Sequence, residues 1–203
     1  MRALLRNTFA RDQLPRVFLV VFLAAVVVQL HPGWRDALVY DRRALGAGEW
    51  WRIWTGQLVH FGWPHFAADA GLFLILGRLL EWEYPWLSRF AIAALPLVIA
   101  GTIFWFDPAM VRYGGLSAVN LGLLVFLACQ GWQKNWVDWF WPAVLAIYVG
   151  EVVLEATVGQ GRGGGMIKFD DASVHVATSA HIGAAVFGVS LWLFSRGRTA
   201  AQR

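Results

Sequence analysis

Ser117 stands where a glycine-bearing loop, Tyr113-Gly114-Gly115-Leu116, gives way to the apolar run Ala118-Val119-Asn120-Leu121. His181 sits inside a second apolar segment, Ala180-His181-Ile182-Gly183. A serine hydroxyl is a weak nucleophile until a base takes its proton, and histidine titrates near neutrality. A serine and a histidine placed within hydrophobic segments therefore point to hydrolysis inside a bilayer, where ionisable groups are costly to insert and are functional candidates by default. If Ser117 opens a helix, the unpaired backbone N–H groups there are available to a developing oxyanion.

Other polar residues in apolar surroundings each have two readings. Glu151 and Glu155 lie one turn apart on one helix face. Glu155 is expected in solvent. Glu151 either holds the flexible or amine-rich end of a substrate or forms an ion pair with Arg43 or Arg52. His175 is six residues before His181 and off its face, so a structural role is expected, and His31 reads as a loop residue.

Positioning these groups requires a membrane bundle. Hydrophobic residues make up 58% of the 203-residue chain and charged residues only 15%, which is the composition of a polytopic membrane protein and not of a soluble domain. The net charge of +4 is spread over tails and loops without a basic stripe, which excludes nucleic acid as a partner. The single cysteine, Cys129, has no intramolecular mate, and structural zinc is unsupported.

Six apolar stretches run at about 17–30, 55–80, 90–106, 116–129, 139–158 and 172–194, several of them short against the roughly 20 residues of a full span. The reading is all-α, one membrane domain over residues 1–203. The first stretch, behind four arginines, has the look of a signal-peptide hydrophobic region, but no small-residue cleavage site follows Leu30, so it is read as a helix. Many of the tryptophans, Trp50, Trp51, Trp54, Trp82, Trp86, Trp132 and Trp136 among them, fall at segment ends as interfacial anchors.

Six spans put both tails, 1–16 and 196–203, on one side, and their arginines make it cytoplasmic. The second, fourth and sixth spans then start from the outer face, and His60, His65, Ser117 and His181 share one leaflet. Measured from the starts of the apolar stretches, His181 lies about 13 Å and His65 about 15 Å deep, and the Gly114-Gly115 pair lets the Ser117 loop dip to meet them. Ala180, Ala184 and Gly188 form a small-residue stripe that brings the sixth helix close to the fourth and aims His181 at Ser117. Gly159–Gly165 reads as a flexible connection or a movable cap, and 31–54 as an amphipathic surface element.

With Glu49-Trp50-Trp51-Arg52, the His60-x4-His65-x3-Asp69 spacing, Gly114-Gly115-Leu116-Ser117 and Ala180-His181 before small residues, the chain resembles the rhomboid family of intramembrane serine proteases over nearly its whole length. The resemblance implies a six-transmembrane-helix rhomboid-like bundle in a bacterial inner membrane, its active site opening to the outer face. It implies an intramembrane endopeptidase acting on a membrane-anchored protein substrate in the lipid bilayer, with no metal and no cofactor. Ser117 would be the nucleophile and His181 the base. His65 and the Ser117 backbone N–H would form the oxyanion site, with Gly115, Asp69 and His60 supporting it. Gly48 before that motif, Thr55-Gly56 ahead of His60, and Glu155 before a glycine-containing loop are similar to the rhombosortase branch, associated with Gly-Gly carboxy-terminal sorting tails.

Two positions depart from the family pattern. Ala118 replaces the usual glycine after the nucleophile. Asp69 replaces an asparagine whose amide would donate to the oxyanion, whereas an ionised carboxylate only accepts. Either burial keeps Asp69 protonated so that it donates, or it turns away to bond a neighbouring helix, or activity is lost. A rhomboid-like pseudoprotease that binds membrane helices without cutting them is the nearer alternative. A haem protein using His60, His65, His175 or His181 as axial ligands is the more distant one.

Overall fold

The computed structural model describes residues 14–134, 139–157 and 177–200. The chain opens with α1 (Arg16–Leu30) and passes through α2 (Arg35–Leu38), the two-residue strand β1 (Tyr40–Asp41), α3 (Arg42–Gly46) and α4 (Arg52–Thr55). Then come α5 (Trp63–Glu83) and α6 (Pro85–Phe106), strand β2 (Arg112–Tyr113), α7 (Ser117–Lys134), α8 (Phe140–Thr157) and α9 (Thr178–Ala200). The six long helices follow the six apolar stretches, with boundaries set by local chemistry. Gly62, at φ 138°, holds α5 back to Trp63, with Pro64 in its first turn. Pro85 opens α6 at the position where a missing N–H costs least. A helix start at Trp63 also corrects the expected depths: His65 is the third residue of α5 and His181 the fourth of α9, so both sit in first turns.

α7 is the central helix. Every residue from Ala118 to Ala128 is buried, as befits a helix apolar on all faces. α9 is its main neighbour. Ala180 and Ala184 are wholly covered, and a Cβ built on Gly188 would come 2.4 Å from the Gly122 carbonyl oxygen, so the two backbones touch along the small-residue stripe. α1 packs on α5 in the same manner: Phe18 and Phe73 meet at 4.7 Å between ring centroids, over Gly77, where a Cβ would fall inside the Phe18 ring.

By length and apolarity, two helices among the described residues suffice to cross a membrane, Pro85–Phe106 and Thr178–Arg196. The bent pair Arg16–Leu30 and Pro32–Leu38 would make a third. α1, α7 and α8 are shorter, and α5 carries Asp69, Arg78, Glu81 and Glu83. The architecture is thus a helical membrane protein.

The 31–54 segment differs from the expected amphipathic surface element. It is tied into the bundle: β1 pairs antiparallel with β2, Tyr40 opposite Tyr113 and Asp41 opposite Arg112, and Val39 and Tyr40 are buried. Arg42 caps the C-terminus of α6, donating to the carbonyls of Ile103 (2.7 Å), Phe104 (2.8 Å), Asp107 (2.7 Å) and Met110 (3.4 Å). These are carbonyls at and just beyond the helix end, where the regular ladder of backbone donors runs out. Arg52 bonds Glu49 at 2.6 Å and the carbonyls of Asp36 and Val39. It is therefore engaged within its own segment.

Candidate active site

Ser117 is the first residue of α7, and the loop before it is shaped by glycine. Gly115 has φ 119°, a conformation side chains rarely adopt, and a Cβ there would lie 3.0 Å from His65 Nε2 and 3.1 Å from Asp69 Oδ2. Its N–H donates to the Gly56 carbonyl at 3.2 Å, so the loop is seated on the turn that follows α4. The glycine pair thus brings the Ser117 loop directly onto the first turn of α5.

His181 reaches the same place from α9. α7 and α9 run side by side in parallel, with Gly122 at the level of Ala184, which puts Ser117, five residues earlier, near the level of His181. The His181 Nδ1 lies 2.9 Å from the Ala177 carbonyl. A carbonyl only accepts, so Nδ1 carries the proton, and a neutral ring keeps its lone pair on Nε2. That Nε2 is buried and has no hydrogen-bond partner. Two residues before His181, Ser179 Oγ donates to Asp107 Oδ2 at 3.0 Å and ties the start of α9 to the end of α6.

His60, His65 and Asp69 form one buried cluster. The His60 and His65 Nε2 atoms lie 3.5 and 3.1 Å from Asp69 Oδ2, and His60 and His65 meet edge to face at 5.1 Å. The Phe61 N–H points at His65 Nδ1 (3.4 Å), which places the His65 proton on Nε2. Asp69 does not turn away toward another helix. Its carboxylate faces the two imidazoles, while its backbone carbonyl accepts from Asn120 Nδ2 of α7 at 2.9 Å. With two imidazoles as its nearest polar neighbours, Oδ2 is better placed as an acceptor than as the expected donor. Ala118 is fully covered, so the extra methyl is accommodated within the packing of α7.

Two tyrosines complete the surroundings of Ser117. The Tyr148 hydroxyl of α8 donates to the Ser117 carbonyl at 2.7 Å. The Tyr113 hydroxyl donates to the Gly115 carbonyl at 3.3 Å and lies beside the Ser117 side chain and the Ala118 N–H. Sequence reading passed over both because a lone tyrosine in an aromatic-rich apolar chain carries no spacing signal. The nearest clue to Tyr113 is its place in the loop before Gly114. His31 caps α1 through Val27 and stacks on Trp34 at 4.7 Å, away from this centre. The side chains of Glu151 and Glu155, together with His175 and Gly159–Gly165, lie outside the described residues.

The structure therefore packs His60, His65, Asp69 and Gly115 against one another, with Ser117 two residues after Gly115 at the start of α7 and His181 in the first turn of the neighbouring α9. A serine that follows a buried glycine loop and a buried histidine whose Nε2 has no hydrogen-bond partner are, in a helical membrane protein, the side-chain types a serine hydrolase uses. The Rhomboid domain profile matches residues 47–197, and the chain belongs to the Rhomboid family, whose members are in general intramembrane serine proteases. Comparison with curated proteins returns no match.

Proposed function

We propose that the protein is an intramembrane serine endopeptidase with a Ser117–His181 dyad. The observation that carries this reading is the His181 tautomer: the bond from Nδ1 to the Ala177 carbonyl at 2.9 Å leaves a buried, unpartnered Nε2 as base. Ser117 Oγ attacks the scissile carbonyl as His181 Nε2 takes its proton, and the same proton passes to the leaving amine. Water then releases the acyl-enzyme. The Ser117 N–H at the start of α7 and the Nε2–H of His65 receive the oxyanion, and Gly115 keeps the loop low enough for both to reach it.

The substrate is a membrane-anchored protein whose helix unwinds locally at the scissile bond, a step that helix-breaking glycines ease. In the full topology the six long helices span a bacterial inner membrane, residues 1–16 and 196–203 lie in the cytoplasm, and the site opens to the outer face. The Glu49-Trp50-Trp51-Arg52 segment, closed by its own Glu49–Arg52 ion pair, supports the rhombosortase branch and Gly-Gly sorting tails as substrates. Glu151 and Glu155 on α8 are proposed to meet the substrate's flexible end.

One observation favours a second reading. Asp69 Oδ2 stands where a Cβ on Gly115 would be only 3.1 Å away, and a bare carboxylate so near the nucleophile loop suits a pseudoprotease that binds helices without cutting them. A fluorophosphonate probe on the detergent-purified protein separates the two. An adduct on Ser117, absent in Ser117→Ala and His181→Ala, supports the protease. No adduct on a folded, monodisperse wild type supports the pseudoprotease.

A further inference from the structure

Asp69 is buried to 2% exposure with, among the described residues, no lysine or arginine paired to it. The groups that face it are the imidazoles of His60 and His65 from the start of α5, with His181 from α9, Tyr113 from the nucleophile loop and Tyr148 from α8 within electrostatic reach. His60 Nδ1 lies 3.2 Å from the Leu58 carbonyl, which can only accept, so that nitrogen carries a proton. A neutral His60 would then turn a bare Nε2 toward the Asp69 Oδ2 at 3.5 Å, lone pair against lone pair, on an oxygen that the His65 Nε2–H already approaches to 3.1 Å. Both atoms are buried, and the His60 Nε2 lacks a hydrogen bond. Buried polar atoms without partners are rare enough to need a cause. A single proton between these two satisfies both.

We propose that His60 and Asp69 hold one proton between Nε2 and Oδ2, forming a pair neutral overall that takes the place of the neutral amide expected at position 69. His60 is then a charge-balancing residue. It removes from the nucleophile loop the negative charge that would oppose an oxyanion at the Ser117 N–H. The catalytic consequence rests on the proposed Ser117–His181 reading; the proton itself does not.

Two measurements test the pair. The first is nuclear magnetic resonance on protein labelled with 15N-histidine and 13C-aspartate, assigned through His60→Gln and Asp69→Asn. A proton on His60 Nε2 or on the Asp69 carboxyl in wild type is the expected result. A bare Nε2 beside an ionised carboxylate would overturn the proposal. The second is the rate of fluorophosphonate labelling at Ser117. His60→Gln is expected to slow it about 100-fold, the scale of losing an oxyanion contact, and adding Asp69→Asn to His60→Gln recovers most of that loss. A double variant as slow as the single, or slower, would refute the charge-balancing role. If His60→Gln fails to fold, the wild-type resonances still decide. If wild type does not label, the protease reading fails while the resonances still report the proton.

Discussion

Replacing Gly188 by alanine puts the dyad's supporting contact to the test. The new Cβ would lie 2.4 Å from the Gly122 carbonyl oxygen and 3.0 Å from Val125 Cβ. Carbon approaches a carbonyl oxygen no closer than about 3.3 Å in the weak contacts of packed helices, so α9 must move off α7 by roughly 0.9 Å at this point. Overpacking of this kind costs about 1–3 kcal/mol. Gly188 is seven residues, or about 10 Å of rise, from His181, so part of the displacement is taken up as a pivot before it reaches the imidazole. A misplacement of about 1 Å at reacting groups is worth up to 100-fold in rate, and a pivoted fraction gives an expected loss of about 10- to 100-fold in fluorophosphonate labelling of Ser117. Thermal unfolding of the same sample in detergent should fall by several degrees. Gly101→Ala in α6 is the matched control: its Cβ meets nothing within 4 Å, so it should hold or slightly raise stability, by at most about 1 kcal/mol. Wild-type labelling and an unchanged unfolding temperature in Gly188→Ala would refute the argument that the small-residue stripe sets the Ser117–His181 geometry.

Other expectations follow from the loop and its supports. Gly115→Ala forces a side chain into φ 119° and against His65 Nε2, so probe labelling should be lost and stability should fall by about 1–3 kcal/mol, read by denaturation in parallel. Arg42→Ala removes four charge-assisted bonds at the end of α6 and should cost about 1.5–3 kcal/mol, with hydrogen exchange rising at the α6 terminus first. Arg112 hydrogen-bonds the exposed Asp36 carboxylate and holds it below the usual carboxylate range. A depressed value in the folded state means that this pairing contributes above the unfolded pKa and is lost as pH falls through the folded one. The unfolding temperatures of wild type and Asp36→Asn should therefore differ at neutral pH and low salt and converge on acidification.

The parts of this protein that depend on side-chain type at helical spacing could be read from the chain. The Ala180, Ala184 and Gly188 stripe packs on Gly122 as its spacing implied, and His65 and Asp69, four apart, meet on one face of α5, because a helix converts spacing directly into a shared face. Helix starts were harder. The apolar run that begins near Thr55 gives no hint that Gly62 turns the chain before α5, since the turn is a backbone event between two hydrophobic segments. The pairing of Tyr40 with Tyr113 was illegible for a different reason: two residues per strand carry no alternation. Arg42 and Arg52 read as loop cations because their partners are mostly backbone carbonyls, which leave no trace in a sequence. The Asp69 problem was visible as a residue type, but the role of its neighbour His60 rests on the facing of its unpartnered Nε2 toward the carboxylate, which no spacing encodes.

Two residues of the 31–54 segment are linked to the stretches that carry Ser117 and His181. Tyr40 pairs with Tyr113, four residues before Ser117. Arg42 donates to the carbonyl of Asp107, whose carboxylate in turn receives Ser179, two residues before His181. Ser117 and His181 are therefore surveyed from one common benchmark, although they belong to helices far apart in the chain. A push on the outer segment, from a lipid headgroup or an arriving substrate, would carry the two together as a pair, and the separation between oxygen and nitrogen would be the last distance in the molecule to change.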